Sequence, residues 1–225
     1  MDPERVKIAQ DVATALAHEL RSPVFAIASA ARLLRYRVAE DPVIEKNIGR
    51  IMREAQHLNS IVDALLEFGR PDPIFLSPAN PDDLWASVLH EHRGALEAKA
   101  LLARHSRAEP RVICRLDSLQ LGQAFSNVLV NAIEAAPEGT DLVIGSSANA
   151  KEGWWRSTVR NDGVPISPET LARAFDPLVS TKPGHAGIGL AIAQRVLTEH
   201  AGSISLESTA GAGTTLTFTL PASHG

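Results

Sequence analysis

The sequence predicts an α-helical hairpin followed by an α+β sandwich domain. Three observations carry this. Apolar residues recur in a heptad rhythm through the first 70 positions, and the run Phe68-Gly69-Arg70-Pro71-Asp72-Pro73 then breaks it. Beyond the break, capped helices alternate with paired strand-like runs. The expected division is 1–70 for the hairpin and 71–225 for the second domain.

In the hairpin, Ala9, Ala13, Leu16, Leu20, Pro23, Ile27, Ala30 and Leu34 alternate steps of four and three. Ile44, Ile48, Ile51, Ala55, Leu58, Val62 and Leu65 continue the pattern. Asp41-Pro42 separates the two runs as an N-cap with proline at the first helical position. Two helices with narrow apolar seams bury both poorly alone. A second copy completing a four-helix bundle solves this, and the length of the seam favours it over packing on the downstream domain.

In the second domain, Asn80-Pro81-Asp82-Asp83 starts a helix with a cap, a proline and two acids at its positive end. Asp117 with Gln120 forms a capping-box-like start for a helix to about Ala136. Strands are expected at 141–147, 154–160, 203–208 and 214–220. The glycine- and proline-rich stretch 161–187 between them reads as a mobile loop.

The composition excludes several classes. With 225 residues and 44% hydrophobic content, the chain buries a sizeable core. A net charge of −4 argues against a nucleic-acid-binding surface. The single Cys114 rules out an internal disulfide framework and fits a reducing compartment; within Val112-Ile113-Cys114 it reads as a buried strand residue. No apolar run reaches bilayer length and the N-terminus lacks a signal-peptide pattern, so the expectation is a cytoplasmic chain without membrane contact.

The segment His18-Glu19-Leu20-Arg21-Ser22-Pro23 stands out within the first helix. Pro23 has no N–H, so it releases the Glu19 carbonyl and is expected to bend the helix just past His18. His18 lies about 200° around the helix from Leu20, which places it toward solvent if Leu20 faces the seam. In the second domain, Asn127 and Asn131 share one helix face and offer amide oxygens for a phosphate-bound metal; packing is the plainer reading. Asn161-Asp162-Gly163 at a strand end is a turn, or a polar residue facing a pocket. Gly187-Ile188-Gly189-Leu190 precedes a helix and lets backbone approach a phosphate, with Lys182 nearby as a positive charge. Gly211-Ala212-Gly213-Thr214 is most simply a hairpin turn.

Together and in this order, these segments resemble the two-component sensor histidine kinases. Residues 16–24 (LAHELRSPV) resemble the phosphoacceptor box, and 121–136 (LGQAFSNVLVNAIEAA) the N box. Residues 159–166 (VRNDGVPI) resemble the first glycine box, and 174–184 (AFDPLVSTKPG) the F box. Residues 187–193 (GIGLAIA) and 211–215 (GAGTT) resemble the remaining glycine boxes. The resemblance implies a homodimeric phosphotransfer hairpin joined to an ATP-binding domain of the gyrase/chaperone/kinase/mismatch-repair type, with a mobile ATP lid over about 163–187. It implies ATP with Mg²⁺, autophosphorylation of His18, and transfer to an aspartate of a response regulator receiver domain. Glu19 becomes the base and Asn131 the Mg²⁺ ligand, while Asn127 supports the phosphates. Phe175 anchors the lid, Arg173 or Lys182 reaches the γ-phosphate, and Thr214 sits near the adenine. Gly163, Gly187, Gly189 and Leu190 complete the nucleotide-binding set.

The chain departs from the family in places. Asn161 stands where an aspartate usually reads the adenine amino group; an amide carbonyl accepts the same hydrogen bond. Pro165 replaces a usual glycine, which stiffens the lid entrance. Ser22 stands where a threonine or asparagine linked to dephosphorylating the regulator is common. Two other functions compete. A clamp-type ATPase of the same superfamily uses a glutamate where this chain has Asn127, a poor base. A phosphotransfer hub without ATP-dependent activity would have degraded glycine boxes, and these are nearly intact. Residues 1–17 leave no room for a sensor domain ahead of His18, so the input is expected from an upstream domain or partner protein outside this chain.

Overall fold

The computed structural model describes residues 3–37, 41–69, 73–177, 179–180 and 187–222. Two compact units emerge: one made of Met1–Asp72 and Lys182–Ile188, which contains the hairpin, and a larger one built from Pro73–Thr181 and Gly189–Gly225.

The hairpin consists of α1 (Pro3–Arg37) and α2 (Pro42–Gly69), packed along each other. Asp41 caps α2 as expected, its Oδ1 accepting the N–H groups of Val43 at 2.8 Å and Ile44 at 3.3 Å. α1 runs on as helix through Pro23. The inner seam differs in phase from the expectation. Ala13, Ala17, Val24 and Ala31 are buried in α1, while Leu16, Leu20, Pro23, Ile27, Ala30 and Leu34 remain exposed. The two sets lie about 60–100° apart around the helix. Small alanines let the backbones of one hairpin approach, and the bulkier set is left on the adjacent face. In α2 the expected seam splits: Ile48, Ala55 and Val62 are buried, whereas Ile44, Ile51 and Leu58 stay exposed. The side chains of Ala9 and Leu65 lie outside the described residues.

The second unit contains β1 (Ser77–Ala79), α3 (Pro81–Glu91), α4 (Arg93–Ala98), β2 (Leu102–Ser106), β3 (Cys114–Leu116) and α5 (Ser118–Ala135). It continues with β4 (Asp141–Asn149), β5 (Trp154–Asn161), α6 (Pro168–Ala172), α7 (Gly189–Glu199), β6 (Ser203–Thr209) and β7 (Gly213–Pro221). The four expected strands correspond to β4 to β7. β1, β2 and β3 are too short to show a clear alternation, although Cys114 is buried in β3 as expected. The loop expected over 161–187 carries the short helix α6, started by the Ser167 hydroxyl accepting from Thr170 N–H at 3.2 Å.

The main sheet has the order β2-β4-β5-β7-β6, with β2 and β4 parallel and the other pairs antiparallel; β1 and β3 form a separate pair. Alternate residues of β5 (Trp155, Ser157, Val159, Asn161) and of β7 (Thr214, Leu216, Phe218, Leu220) are buried. Their opposite neighbours are more open, the pattern of a sheet covered on one face. The core centres on Trp85, Phe125, Trp155 and Phe218. Trp85 stacks on Phe125 with centroids 4.3 Å apart, and Trp85 Nε1 donates to Ser157 Oγ at 3.0 Å.

Helix α5 is fixed at both ends. At its start, Asp117 Oδ1 accepts from Leu119 and Gln120, and Oδ2 accepts from Phe75 N–H at 2.9 Å. Asp117 N–H donates to Nε2 of buried His200, whose ring proton therefore sits on Nδ1 and meets Val196 O at 2.7 Å. At its end, Lys99 Nζ donates to the carbonyls of Ile133, Glu134 and Ala136. The same helix end meets the turn after β5. A Cβ on Gly163 would lie 2.5 Å from Ala135 O, and one on Gly213 (φ +77°) would overlap the carbonyl oxygen of Asn161.

Two stability predictions follow from these anchors. Burial raises the Asp117 pKa, but N–H donors from Phe75, Gln120 and Leu119 and the nearby His200 outweigh it and hold the carboxyl below its ordinary 3.8. A depressed folded-state pKa gives stability that is complete well above 3.8 and lost as pH falls through the folded value. Asp117→Ala should lower stability at pH 7 by about 2 kcal/mol in urea denaturation, with the deficit shrinking toward pH 3. Gly163→Ala should cost about 1–3 kcal/mol through overpacking. Gly94→Ala, in α4 with nothing near its Cβ position, should be neutral or slightly stabilising.

Candidate functional site

The expected site residues fall into two groups, one in each unit. In the hairpin, His18, Glu19 and Ser22 are all exposed on α1. His18 follows fully buried Ala17, one step around from the inner seam, so its imidazole stands in solvent. Ser22 lies one turn further on the same face as His18. The expected solvent position of His18 holds, although its neighbour Leu20 is not part of the inner seam.

The second group forms where α5, α7 and the ends of β5 and β7 meet. Asn127 and Asn131 project from α5 toward the first turn of α7. A Cβ on Gly189 would lie 3.6 Å from Asn127 Cβ and 3.8 Å from Asn131 Nδ2, so the missing side chain leaves room directly above both amides. Asn127 Nδ2 is buried and has no hydrogen-bond partner. An orphaned buried donor is unfavourable in a folded protein unless something is bound there. Gly187, with φ +66°, lies two residues ahead of α7, and Leu190 follows in its first turn. α7 begins at Gly189, directly against Asn127 and Asn131.

Asn161 ends β5 and is only 5% exposed. Its Oδ1 accepts from Gly163 N–H at 3.0 Å, which closes the turn after the strand. Thr214 of β7 is its cross-strand partner. Thr214 Oγ1 hydrogen-bonds Ser208 Oγ at 2.8 Å, and Ser208 Oγ accepts from Ile166 N–H at 2.9 Å. This hydroxyl pair ties the outgoing loop to the sheet. Phe175 is half-buried just after α6. The guanidinium of Arg173 pairs with Asp176 on the surface at 3.3 Å, a screened contact of little energy. Lys182 lies outside the described residues.

Several contributors carry no local signal. Lys99 and His200 hold the two ends of α5 from positions far away in the chain, and Ser208 reads as an ordinary strand residue. Among the described residues no group of three or more His, Cys, Asp or Glu is placed to hold a metal ion. A cation here would be held by amide oxygens and by ligand phosphates, a donor set that suits Mg²⁺.

Known proteins show the same order of parts. Residues 9–74 match the His Kinase A (phospho-acceptor) domain, and residues 116–224 the histidine kinase-, DNA gyrase B-, and HSP90-like ATPase family. Sensor histidine kinase ZraS of Salmonella typhimurium is 28% identical over 221 residues, covering 93% of this chain and 45% of that protein. Sporulation kinase E of Bacillus subtilis is 27% identical over 224 residues, covering 97% and 29%. The chain thus spans less than half the length of these two relatives. In fold it is similar to full-length ShkA, crystallised in complex with AMPPNP, with a TM-score of 0.77 at 24% identity over 96% of this chain and 47% of that one. It is also similar to ThkA, crystallised with the response regulator protein TrrA, with a TM-score of 0.74 at 24% identity over 97% and 63%. A phosphoacceptor hairpin followed by an ATPase-type domain places the chain in the two-component sensor histidine kinase family.

Proposed function

We propose that this chain is a sensor histidine kinase core that autophosphorylates His18 from ATP and passes the phosphoryl group to an aspartate of a response regulator receiver domain. Residues 1–70 serve as the dimerisation and phosphotransfer part and 71–225 as the catalytic part. The observation that carries this reading is the orphaned Asn127 amide beside Asn131 beneath the side-chain-free start of α7. That arrangement suits a polyphosphate better than an apolar ligand.

In the proposed reaction one imidazole nitrogen of His18 attacks the γ-phosphorus of ATP and the bond to the ADP oxygen breaks. Glu19 takes the proton from the other ring nitrogen. Asn131 would hold Mg²⁺ and Asn127 would support the phosphates; bound there, the ion would supply charge neutralisation for the transferred group. Asn161 and Thr214 stand at the base end, and Gly163, Gly187, Gly189 and Leu190 shape the backbone around the nucleotide. Phe175 anchors the lid and Lys182 contributes positive charge. In the second step an aspartate oxygen of the regulator attacks phosphorus and the P–N bond breaks. The Ser22 hydroxyl, one turn from His18, would orient a water that hydrolyses the regulator's aspartyl phosphate and releases inorganic phosphate.

The exposed face of the hairpin supports a homodimer. Leu16, Leu20, Ile27 and Leu34 of α1 and Ile44, Ile51 and Leu58 of α2 keep a heptad spacing and stay exposed among the described residues, and a second copy closing a four-helix bundle would bury them. No helix among the described residues is long and apolar enough to cross a membrane. We place the catalytic core in the cytoplasm, receiving its signal from a sensor domain or partner outside this sequence.

Incubation with [γ-³²P]ATP and Mg²⁺ should label the chain, and His18→Gln should abolish the label. Retained, acid-stable label in that variant rejects the assignment. Asn131→Ala should reduce labelling by at least about a hundredfold while the dimer persists, since loss of metal and phosphate positioning removes several kcal/mol of transition-state stabilisation. For the dimer, Ile51→Glu combined with Leu58→Glu should shift sedimentation velocity to a monomer; an unchanged dimer would place the interface elsewhere.

A further inference from the structure

The last turn of α5 ends on a cation supplied from elsewhere in the chain. In a continuing helix Ile133 O would accept from the N–H four residues on, but that residue is Pro137, which has none. Ala136, ahead of the proline, leaves the helix in extended geometry (φ −65°, ψ 134°), so no left-handed cap turns N–H groups back onto the carbonyls. Lys99 fills this gap. Its ammonium, on a half-buried residue, donates to Ala136 O at 2.7 Å, Ile133 O at 2.8 Å and Glu134 O at 3.1 Å. An ammonium has three N–H groups, so all are spent here and none is left for a phosphate. The backbone pins Lys99 as well, its carbonyl accepting from Gly139 N–H at 3.0 Å. The turn that presents it passes through Ala100 at φ +51°, a left-handed conformation that is costly for a residue with a Cβ.

The carbonyls taken by the ammonium flank another that touches the site. Ala135 O, between Glu134 and Ala136, lies against Gly163, where a Cβ would come within 2.5 Å of it, and Asn131 stands just ahead in the same helix end. Resting on the nucleotide-site reading above, we propose that Lys99 is a positioning residue for Mg-ATP binding, its ammonium acting as a tethered monovalent cation that holds the last turn of α5 against the turn after β5. Three carbonyl oxygens converging on one point repel each other without positive charge between them, and the negative end of the helix dipole adds to that repulsion. Removing the ammonium therefore loosens the turn beside Asn131 and leaves a carbonyl cage of the kind that holds a free monovalent cation.

Calorimetry with Mg-ATP on the full chain tests this through the choice of salt, at a temperature where circular dichroism shows each protein folded. Lys99→Ala removes the ammonium and leaves room for a free ion. In tetramethylammonium chloride it should bind Mg-ATP at least about tenfold more weakly than wild type, and ammonium chloride at the same ionic strength should restore binding to within about threefold. Wild type, whose cage is already filled, should change by less than about twofold between the two salts. Lys99→Met keeps most of the stem in the space and should bind weakly in both. A Lys99→Ala affinity equal to wild type, a loss that ammonium does not relieve, or equal relief of Lys99→Met overturns the inference while leaving the kinase reading intact. If wild type itself binds no Mg-ATP, the kinase reading falls and this inference falls with it. Should Lys99→Ala be unfolded in tetramethylammonium chloride, refolding with recovery of Mg-ATP binding in ammonium chloride supports the cage, and a chain that stays unfolded in both salts overturns it.

Discussion

The second unit depends on the immobilisation of α5. This helix carries Asn127 and Asn131, contributes Phe125 to the aromatic core, and abuts both the start of α7 and the turn after β5. Its first turn is held by Asp117, which also draws in Phe75 N–H and leans on His200 at the far end of α7. Its last turn is held by three bonds from one lysine ammonium and by the tight fit of Gly163 against Ala135 O. Helix ends carry unsatisfied N–H and C=O groups and fray unless partnered. Anchoring both ends fixes the two asparagines relative to α7 and Asn161, which is what phosphoryl transfer requires of a protein that contributes mainly position and charge.

The hairpin solves a different problem with the same heptad repeat. Each helix must face one neighbour within its own chain and, in a four-helix bundle, another in a second chain. In α1 the division of labour is by side-chain size, with alanines inside and leucine or isoleucine on the adjacent face. In α2 alternate members of a single repeat divide between the buried and the exposed face. The exposed set carries the larger side chains, so a single hairpin leaves part of its apolar surface in water. His18, the proposed nucleophile, stands outside the inner seam, in solvent.

Features set by near neighbours in sequence were legible from the residues. Asp41, Asn80 and Asp117 each cap the helix they precede, and the paired strands from β4 to β7 agree with their alternation to within two residues at either end. The alignment of Asn127 with Asn131 also follows from helical periodicity, whereas His18 is exposed even though Leu20, from which its position was reckoned, is exposed too. What was hidden depends on partners distant in the chain. A 3.5-residue repeat states that a helix has an apolar stripe, but which edge of it meets the neighbouring helix is decided by size, and the inner seam of α1 accordingly fell one step away. Lys99 and His200 are unremarkable in their own windows, because the carbonyls and the N–H they meet lie more than 30 residues away. At Asn161 the turn reading holds, its Oδ1 accepting from Gly163 N–H.

The most direct test of the account is to locate the transferred phosphoryl group. After incubation of the full chain with ATP and Mg²⁺, mass spectrometry under non-acidic conditions, supported by ³¹P NMR, should find a phosphoramidate on the imidazole of His18. Phosphate on Ser22 or on a carboxylate instead, or ATP consumption with no phosphoryl group retained on the chain, would contradict it.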